Sequence, residues 1–337
     1  MKIKKTILVY ALMGFFILIS LLLYFGYWYM TQCNAEWEGV TIEEKKIIDR
    51  AEIKKELESD VAFMAETLGP RNFLHYEQLN QCREWIKQKW QAQGYVVREQ
   101  IFEMDGKEYS NLEIEIRGKV SPDEIIIISD QYDTLPDSPG ANNNAGGVAV
   151  VFQLTKLLKD YIPDKTLRFV AFTNEEDPLF GTDKMGSYYY AKRSAERGEH
   201  INIMLSLDAI GYYTQKPNSQ KLPWPFSIFY PDKGNFLAFI GDLKSRKYMI
   251  DITRGFKKGS AFPIEAGVVP QWVEGASWSD HQSFWIFGYP GMQVTDTGGF
   301  RSPYHTTKED TMDKMDFEAL TSIVFGMYGV ILEITKS

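Results

Sequence analysis

Chemically capable side chains recur in this sequence at the ends of apolar runs. Asp130, Gln131 and Asp133 follow four consecutive isoleucines at 125–128. Glu175 and Glu176 follow LRFVAFT at 167–173, Asp208 follows MLSL at 204–207, and His305 comes shortly after an apolar stretch at 291–295. Short apolar runs bounded by charge and turn residues read as strands buried on both faces. Ligand sites of open α/β sheets lie at the carboxyl ends of such strands. In an extended segment neighbouring side chains point to opposite sides, so one of Glu175 and Glu176 is able to hold a metal ion while the other faces a water. A lone Glu-Glu pair reads better as two surface acids. Its recurrence with Asp208 and His305 at other strand ends favours a site.

Other candidates are weaker. Ser279-Asp280-His281 has the composition of a serine triad, but no Gly-x-Ser-x-Gly elbow occurs. His75 and His200 have no acidic or histidine partner at ligand spacing and read as surface or packing residues. The two cysteines, Cys33 and Cys82, form no CxxC pattern, which excludes zinc-finger chemistry. An oxidising compartment would permit them to pair, and both free is the alternative.

The elements that must position these residues are legible from periodicity. A helix is expected at 76–93, with Leu79, Cys82, Trp85, Ile86 and Trp90 on one stripe and Gly94 as its stop. Strands at 95–102 and 110–117 alternate apolar with polar, and Asp105-Gly106 lies in the turn between them. After the isoleucine strand, a loop rich in Pro, Gly and Asn leads through Gly146-Gly147 into a helix at 148–158. It is an active-site loop in outline, with amides where ligands would stand. A strand at 166–173, a helix at 181–195 and a strand at 203–207 follow. The stretch 212–234 is rich in Pro and aromatics without clear period, as a loop covering a site would be. A short helix at 279–287, a fourth parallel strand at 291–295 and a closing helix at 317–334 complete the chain. Strands alternating with helices define an α/β protein with a mostly parallel sheet flanked by helices.

At 337 residues the chain holds one large domain or two small ones. The net charge of −8, with no basic face, makes nucleic acid an unexpected partner. Lys2, Lys4 and Lys5 precede an uncharged stretch at 7–30, longer than the roughly 20 residues a spanning helix needs. It ends in Tyr24, Tyr27, Trp28 and Tyr29, an interfacial aromatic belt, with no Ala-x-Ala cleavage signature. The expected order is a cytoplasmic 1–6, a transmembrane anchor at 7–30, a helical linker at 31–67 and an exterior domain at 68–337. The localisation that follows is single-pass in the cell membrane with the C-terminal domain extracytoplasmic.

From 68 to 332 the sequence resembles the co-catalytic zinc aminopeptidase family, metallopeptidase family 28. The resemblance is carried by LGPRN at 68–72, SDQYDT at 129–134, SPGANNNAGGVA at 138–149 and LRFVAFTNEEDPLFGTDKMGS at 167–187. It continues through LSLDAIGYY at 205–213, SDHQSFW at 279–285 and YHTTKEDT at 304–311. In that family two zinc ions share a carboxylate and hold a hydroxide that attacks the first peptide bond of a substrate. The resemblance places Glu175 on the general base, Glu176 and His305 on ligands of one zinc, and Asp208 on a ligand of the other. Asp133 falls where an acid orients the first histidine ligand, and Asp280 and His281 fall behind the ligands. Two ligand positions depart: Gln131 stands where the family has His, and Asn143 where it has the bridging Asp.

A neutral amide oxygen is a poor zinc ligand, and Asn143 supplies no charge to hold two dications about 3.5–4 Å apart. At most one zinc is expected, and glutaminyl cyclases of the same fold, which work with one zinc, keep an Asp at the position of Asn143. The reading is therefore a membrane-anchored exterior domain, inactive or weakly active, that binds peptide or protein. The alternative is a single-zinc aminopeptidase acting on peptide N-termini.

Overall fold

The computed structural model describes residues 2–337. The side chains of Lys2, Lys4 and Lys5, on which the membrane orientation rests, lie outside the described residues, as does Met1.

Eight strands form one sheet: β1 (Arg98–Met104), β2 (Lys107–Ile116), β3 (Ser121–Gln131), β4 (Lys165–Phe172), β5 (His200–Leu207), β6 (Leu237–Gly241), β7 (Ile264–Val268) and β8 (Gly291–Thr295). Their spatial order is β1-β2-β4-β3-β5-β8-β6-β7. The junctions among β4, β3, β5 and β8 are parallel, as is β6 with β7; the other three are antiparallel. β1 and β2 are joined by Asp105 and Gly106 at φ of 52° and 74°, the left-handed pair that a two-residue hairpin turn requires.

The isoleucine run explains why β3 lies inside. Ile126 and Ile128 belong to a core shared with α2 (Arg50–Ala62), α3 (Tyr76–Ala92), α4 (Gly146–Leu157), α6 (Arg246–Gly259) and α8 (Phe317–Ile334). Ile125 and Ile127 belong to a second core, on the other face, with Tyr190 of α5 (Gly186–Glu196) and Phe284 of α7 (His281–Ile286). Alternate side chains thus feed opposite layers. α6 and α8 cross closely because both present glycine: a Cβ at Gly259 would lie 2.1 Å from the Phe325 carbonyl oxygen, and one at Gly329 would lie 2.2 Å from that of Gly255.

Three elements depart from expectation. β6, α6 and β7 occupy 237–268, where no element was expected, and they extend the sheet by two strands beyond β8. The segment 31–67 is not a free linker. Ile42 N–H and Glu43 N–H bond to the carbonyls of Lys258 and Gly259, and Ile53, Leu57, Val61 and Met64 are buried in the main core. The helix expected to begin at 181 begins at Gly186, after turns.

At the N-terminus, α1 (Lys2–Thr31) has a window, Leu12–Thr31, with a mean hydropathy of 1.8 and none of it buried. Length and composition suffice to cross a membrane. α8 passes the same test of length and composition, but two-thirds of it is buried, as a core helix is. Both cysteines are free and buried.

Candidate active site

Strand register brings the candidate residues to one edge. Gln131 is level with Phe172 of β4, three residues before Glu175. Ser129 is level with Ser206 of β5, so Gln131 and Asp208, each two residues further on, share a level. Ser206 is in turn level with Gln293 of β8.

The side chains meet there through amides. Gln131 Nε2 lies 3.2 Å from Asn143 Oδ1, 3.3 Å from Asp208 Oδ1 and 3.4 Å from Glu175 Oε2. Asn143 Nδ2 donates to Glu176 Oε1 at 2.5 Å. Which way these amides face follows from backbone groups of fixed polarity. Asn144 Nδ2 donates to the Leu207 carbonyl at 2.7 Å, and its Oδ1 accepts from Ala209 N–H at 3.3 Å. Asn144 Nδ2 also donates to Gln131 Oε1 at 2.8 Å, which turns the Gln131 amino group toward the acids. A chain of amide donors thus reaches the side chains of Glu175, Glu176 and Asp208. Among the described residues, no three His, Cys, Asp or Glu side chains are arranged to hold a metal ion.

Glu175 and Asp208 are buried, while Glu176 and His305 are half-buried. Burial, with the neighbouring Glu176 and Asp208 charges, raises the Glu175 carboxyl well above its ordinary range. Burial also raises Glu176, with Asp133 and Asp208 adding to it. Asp208 is raised by burial, against the opposing pull of His305 and of hydrogen bonds from Gln131 and Gln293. Desolvation disfavours the charged form, and clustered like charges add to it. Asp133 accepts the backbone N–H groups of both Glu175 and Glu176 at 3.1 Å. It therefore fixes the loop that carries the two acids, and burial takes it up to about 6.

A cleft open on one side leads to this edge. Asp208, Gln293 and His305 line it together with Leu222, Phe226 and Tyr230 from the long aperiodic segment. That segment forms a wall of the cleft.

Asp280 and His281 lie behind the site and are fully buried. His281 Nε2 is 2.9 Å from the Ala276 carbonyl and its ring stands edge-on to Trp285. The serine of the triad-like stretch does not bond to it: Ser279 pairs with Ser206, and the nearby Ser283 pairs with Ser187. His75 is half-buried at the start of α3, and His200 is exposed at the start of β5.

Burial holds the His281 imidazole down to about 4. Below about pH 6.5 the unfolded chain takes up a proton that the folded chain refuses until about pH 4. Folding is then opposed as pH falls through that window, by about 3 kcal/mol in full. Buried carboxyls with raised pKa values act in the opposite sense, so the comparison must be with a His281→Asn variant. Urea midpoints at pH 7 and pH 4.5 will show the parent losing more stability on acidification than the variant. Equal losses would mean that His281 titrates in the folded chain as it does in water.

Several supporting residues lay outside the sequence reading. Asp310 accepts the N–H groups of Asn142 and Asn143 at 2.9 and 3.0 Å. Asp296 accepts from Asn142 Nδ2 and Tyr212 N–H at 2.8 Å. Gln293 donates to Asp208 at 3.1 Å. Asn144 was visible only as part of an asparagine run, and Asp310 only as part of YHTTKEDT.

A mixed eight-stranded sheet with acids at the carboxyl ends of its parallel strands defines the class: an α/β protein of the zinc aminopeptidase fold. BSAP, a zinc aminopeptidase from Bacillus subtilis, superposes with a TM-score of 0.64 at 14% identity, covering 84% of this chain and 95% of that one. A Bacteroides thetaiotaomicron glutaminyl cyclase gives 0.60 at 18%, covering 84% and 97%. Likeness at such identity establishes fold alone. In sequence, the model of peptidase family M28 matches residues 111–330, and the chain belongs to that family. The uncharacterized protein YfbL of Escherichia coli (strain K12) is 30% identical over 282 residues, 81% of this chain and 86% of YfbL. Aminopeptidase YwaD of B. subtilis is 33% identical over 93 residues, which are 28% of this chain and only 20% of YwaD.

Proposed function

We propose that this chain is a membrane-anchored M28 domain that binds the amino-terminal end of a peptide or protein without dinuclear zinc hydrolysis. The observation that carries this is the Gln131 amino group, which donates toward Asn143, Asp208 and Glu175. Relatives named as zinc aminopeptidases make zinc the expected cofactor of the fold. The donor set here does not fit a zinc pair. Gln131 presents hydrogens rather than a lone pair to the would-be cation, and Asn143 is neutral between Gln131 and Glu176. Zinc needs nitrogen, thiolate or carboxylate donors facing it. A peptide ammonium needs only acceptors, which Glu175, Glu176 and Asp208 supply, while the walls of Leu222, Phe226 and Tyr230 suit an apolar side chain.

One observation favours a second reading. His305 Nδ1 is buried without a partner among the described residues, and Glu176 is not far behind Asn143. A single zinc held by these two would leave Glu175 as the base of a weak aminopeptidase. The full-length protein in detergent, dialysed metal-free and then offered zinc, separates the two. The binding reading expects well under one zinc per chain and no hydrolysis of aminoacyl anilides. It also expects saturable binding of an N-terminal leucyl peptide that Phe226→Glu abolishes. One zinc per chain, with hydrolysis lost in Glu175→Gln, would replace it by the single-zinc enzyme.

A further inference from the structure

The end of α1 does not stand clear of the domain. The Tyr27 ring packs on Phe229 with centroids 4.1 Å apart. Arg246 donates from Nε to the Tyr29 carbonyl at 2.8 Å and lays its guanidinium 3.8 Å over the Tyr29 ring. Whatever depth Tyr27 and Tyr29 occupy, the elements touching them occupy as well.

Those elements have an unusual surface. On one side of the α1 exit, the segment around Phe229 exposes Trp224 at 80%, Ile228 at 65% and Phe229 itself at 45%. On the other side a shallow depression is lined by Tyr29, Leu243, Lys244, Arg246 and Lys247. Leu243 is 67% exposed, and Lys244 and Lys247 are exposed. None of the three cations forms an ion pair with a described acid. The acids nearest in the chain are engaged elsewhere: Asp242 accepts from the hydroxyl and N–H of Ser245, and Asp251 accepts from Arg254. In a chain of net charge −8, three unpaired cations beside exposed apolar groups form a local exception. Aromatic and aliphatic side chains at the level of a spanning helix's terminal tyrosines belong to the interface of a bilayer. Cations there attract anionic headgroups.

We infer that this face, Trp224, Ile228 and Phe229 with Leu243, Lys244 and Lys247, is a membrane-contact surface that seats the domain on the bilayer its own α1 crosses. Its partner is an anionic phospholipid surface. The inference rests on the reading of α1 as a membrane span, and it adds that the domain is docked on the bilayer. Phe226 and Tyr230, which wall the cleft, belong to the same segment, so the bilayer contact and the cleft wall are one piece of chain.

The test is a nitroxide placed on the full-length protein in lipid nanodiscs of phosphatidylcholine with phosphatidylglycerol. Cys33 and Cys82 are buried, so an introduced cysteine takes the label. Phe16→Cys, within α1, reports the lipid phase. Ile101→Cys on β1 reports solvent, since β1 is the sheet edge opposite β7, the strand that α1 touches. The Ile228→Cys label is expected to resemble Phe16→Cys, relaxed by oxygen and shielded from a water-soluble nickel chelate. Adding Lys244→Gln and Lys247→Gln is expected to erase the extra shielding gained on passing from pure phosphatidylcholine to the anionic mixture. If Ile228→Cys is as open to the chelate as Ile101→Cys while Phe16→Cys is shielded, the docked face is wrong and the anchor stands. If Phe16→Cys is itself open to the chelate, the anchor reading falls, and this inference with it.

Discussion

The double substitution Gln131→His with Asn143→Asp will turn a chain expected to hold less than one zinc into one that holds two. The expectation follows from what the two amides do now. Gln131 directs N–H toward Asp208 and Glu175, and Asn143 directs N–H toward Glu176, so both oppose a cation at the same edge. Two divalent ions 4 Å apart repel by roughly 16 kcal/mol at an effective dielectric of 20, four times the unit-charge value. Only a carboxylate between them offsets that. Gln131→His alone supplies a ligand and no charge, and Asn143→Asp alone adds a further acid to a cluster whose carboxyls are already raised. Each single variant is therefore expected to stay below two zincs. In the double variant, zinc at about a thousand times its Kd adds about 4 kcal/mol of stability, read as an upward shift in melting temperature that a chelator reverses. The supports are in place: Asp133 holds the Glu175–Glu176 loop and Asp310 holds the backbone at 142–143. A folded double variant without added zinc would show that these supports no longer set ligand geometry.

How much of this was legible depended on the length of each signal. The isoleucines of β3 report burial on both faces by themselves, and so does LRFVAF in β4. Their register then follows from parallel pairing, which is why Gln131, Glu175 and Asp208 were placed at one edge from sequence alone. β6 was missed although Phe236 to Ile240 is a continuous apolar run, whereas β7, Ile-Glu-Ala-Gly-Val, carries too few apolar positions to show a period. α6 was more readable than that: Met249, Ile252, Phe256 and Gly259 recur at helical spacing. The amide network was half legible. Gln131 and Asn143 stood out as departures from a pattern. That Asn144 orients Gln131 depends on the Leu207 carbonyl and Ala209 N–H, groups that a sequence does not display. A helical linker was expected at 31–67, but only tertiary contact of its helix α2 with α4 and α8 puts it in the core.

Arg71→Met will cost the domain about 4 kcal/mol or more, and with it the proposed peptide binding. Arg71 lies in LGPRN, which the sequence marks as a block without a role. Its side chain is fully buried, and no carboxylate pairs with it directly. The guanidinium instead donates to the carbonyls of Tyr132, Met64, Gly69 and Pro139 at 2.8–3.1 Å. Its own backbone and Thr134 exchange bonds, Thr134 N–H to the Arg71 carbonyl at 2.7 Å and Arg71 N–H to the Thr134 hydroxyl at 2.9 Å. Burial lowers its pKa, opposed by Cys82 and by the more distant Asp133 and Asp310. Methionine fills much of the volume and satisfies none of the carbonyls, each of which costs about 1–3 kcal/mol when stranded. The total approaches the 5–15 kcal/mol that holds a typical domain together. Arg71→Lys, whose ammonium has three donors on a point rather than a fork, is expected to lose less. A urea midpoint series across parent, Lys and Met variants orders them. The site feels the change because two of these carbonyls, those of Tyr132 and Pro139, belong to the loop after β3. Released from Arg71, the loop lets Asp133 move, and Asp133 alone bonds the N–H groups of both Glu175 and Glu176. A Met variant with an unchanged midpoint would mean that water replaces the guanidinium, and that Asp133 keeps its place without it.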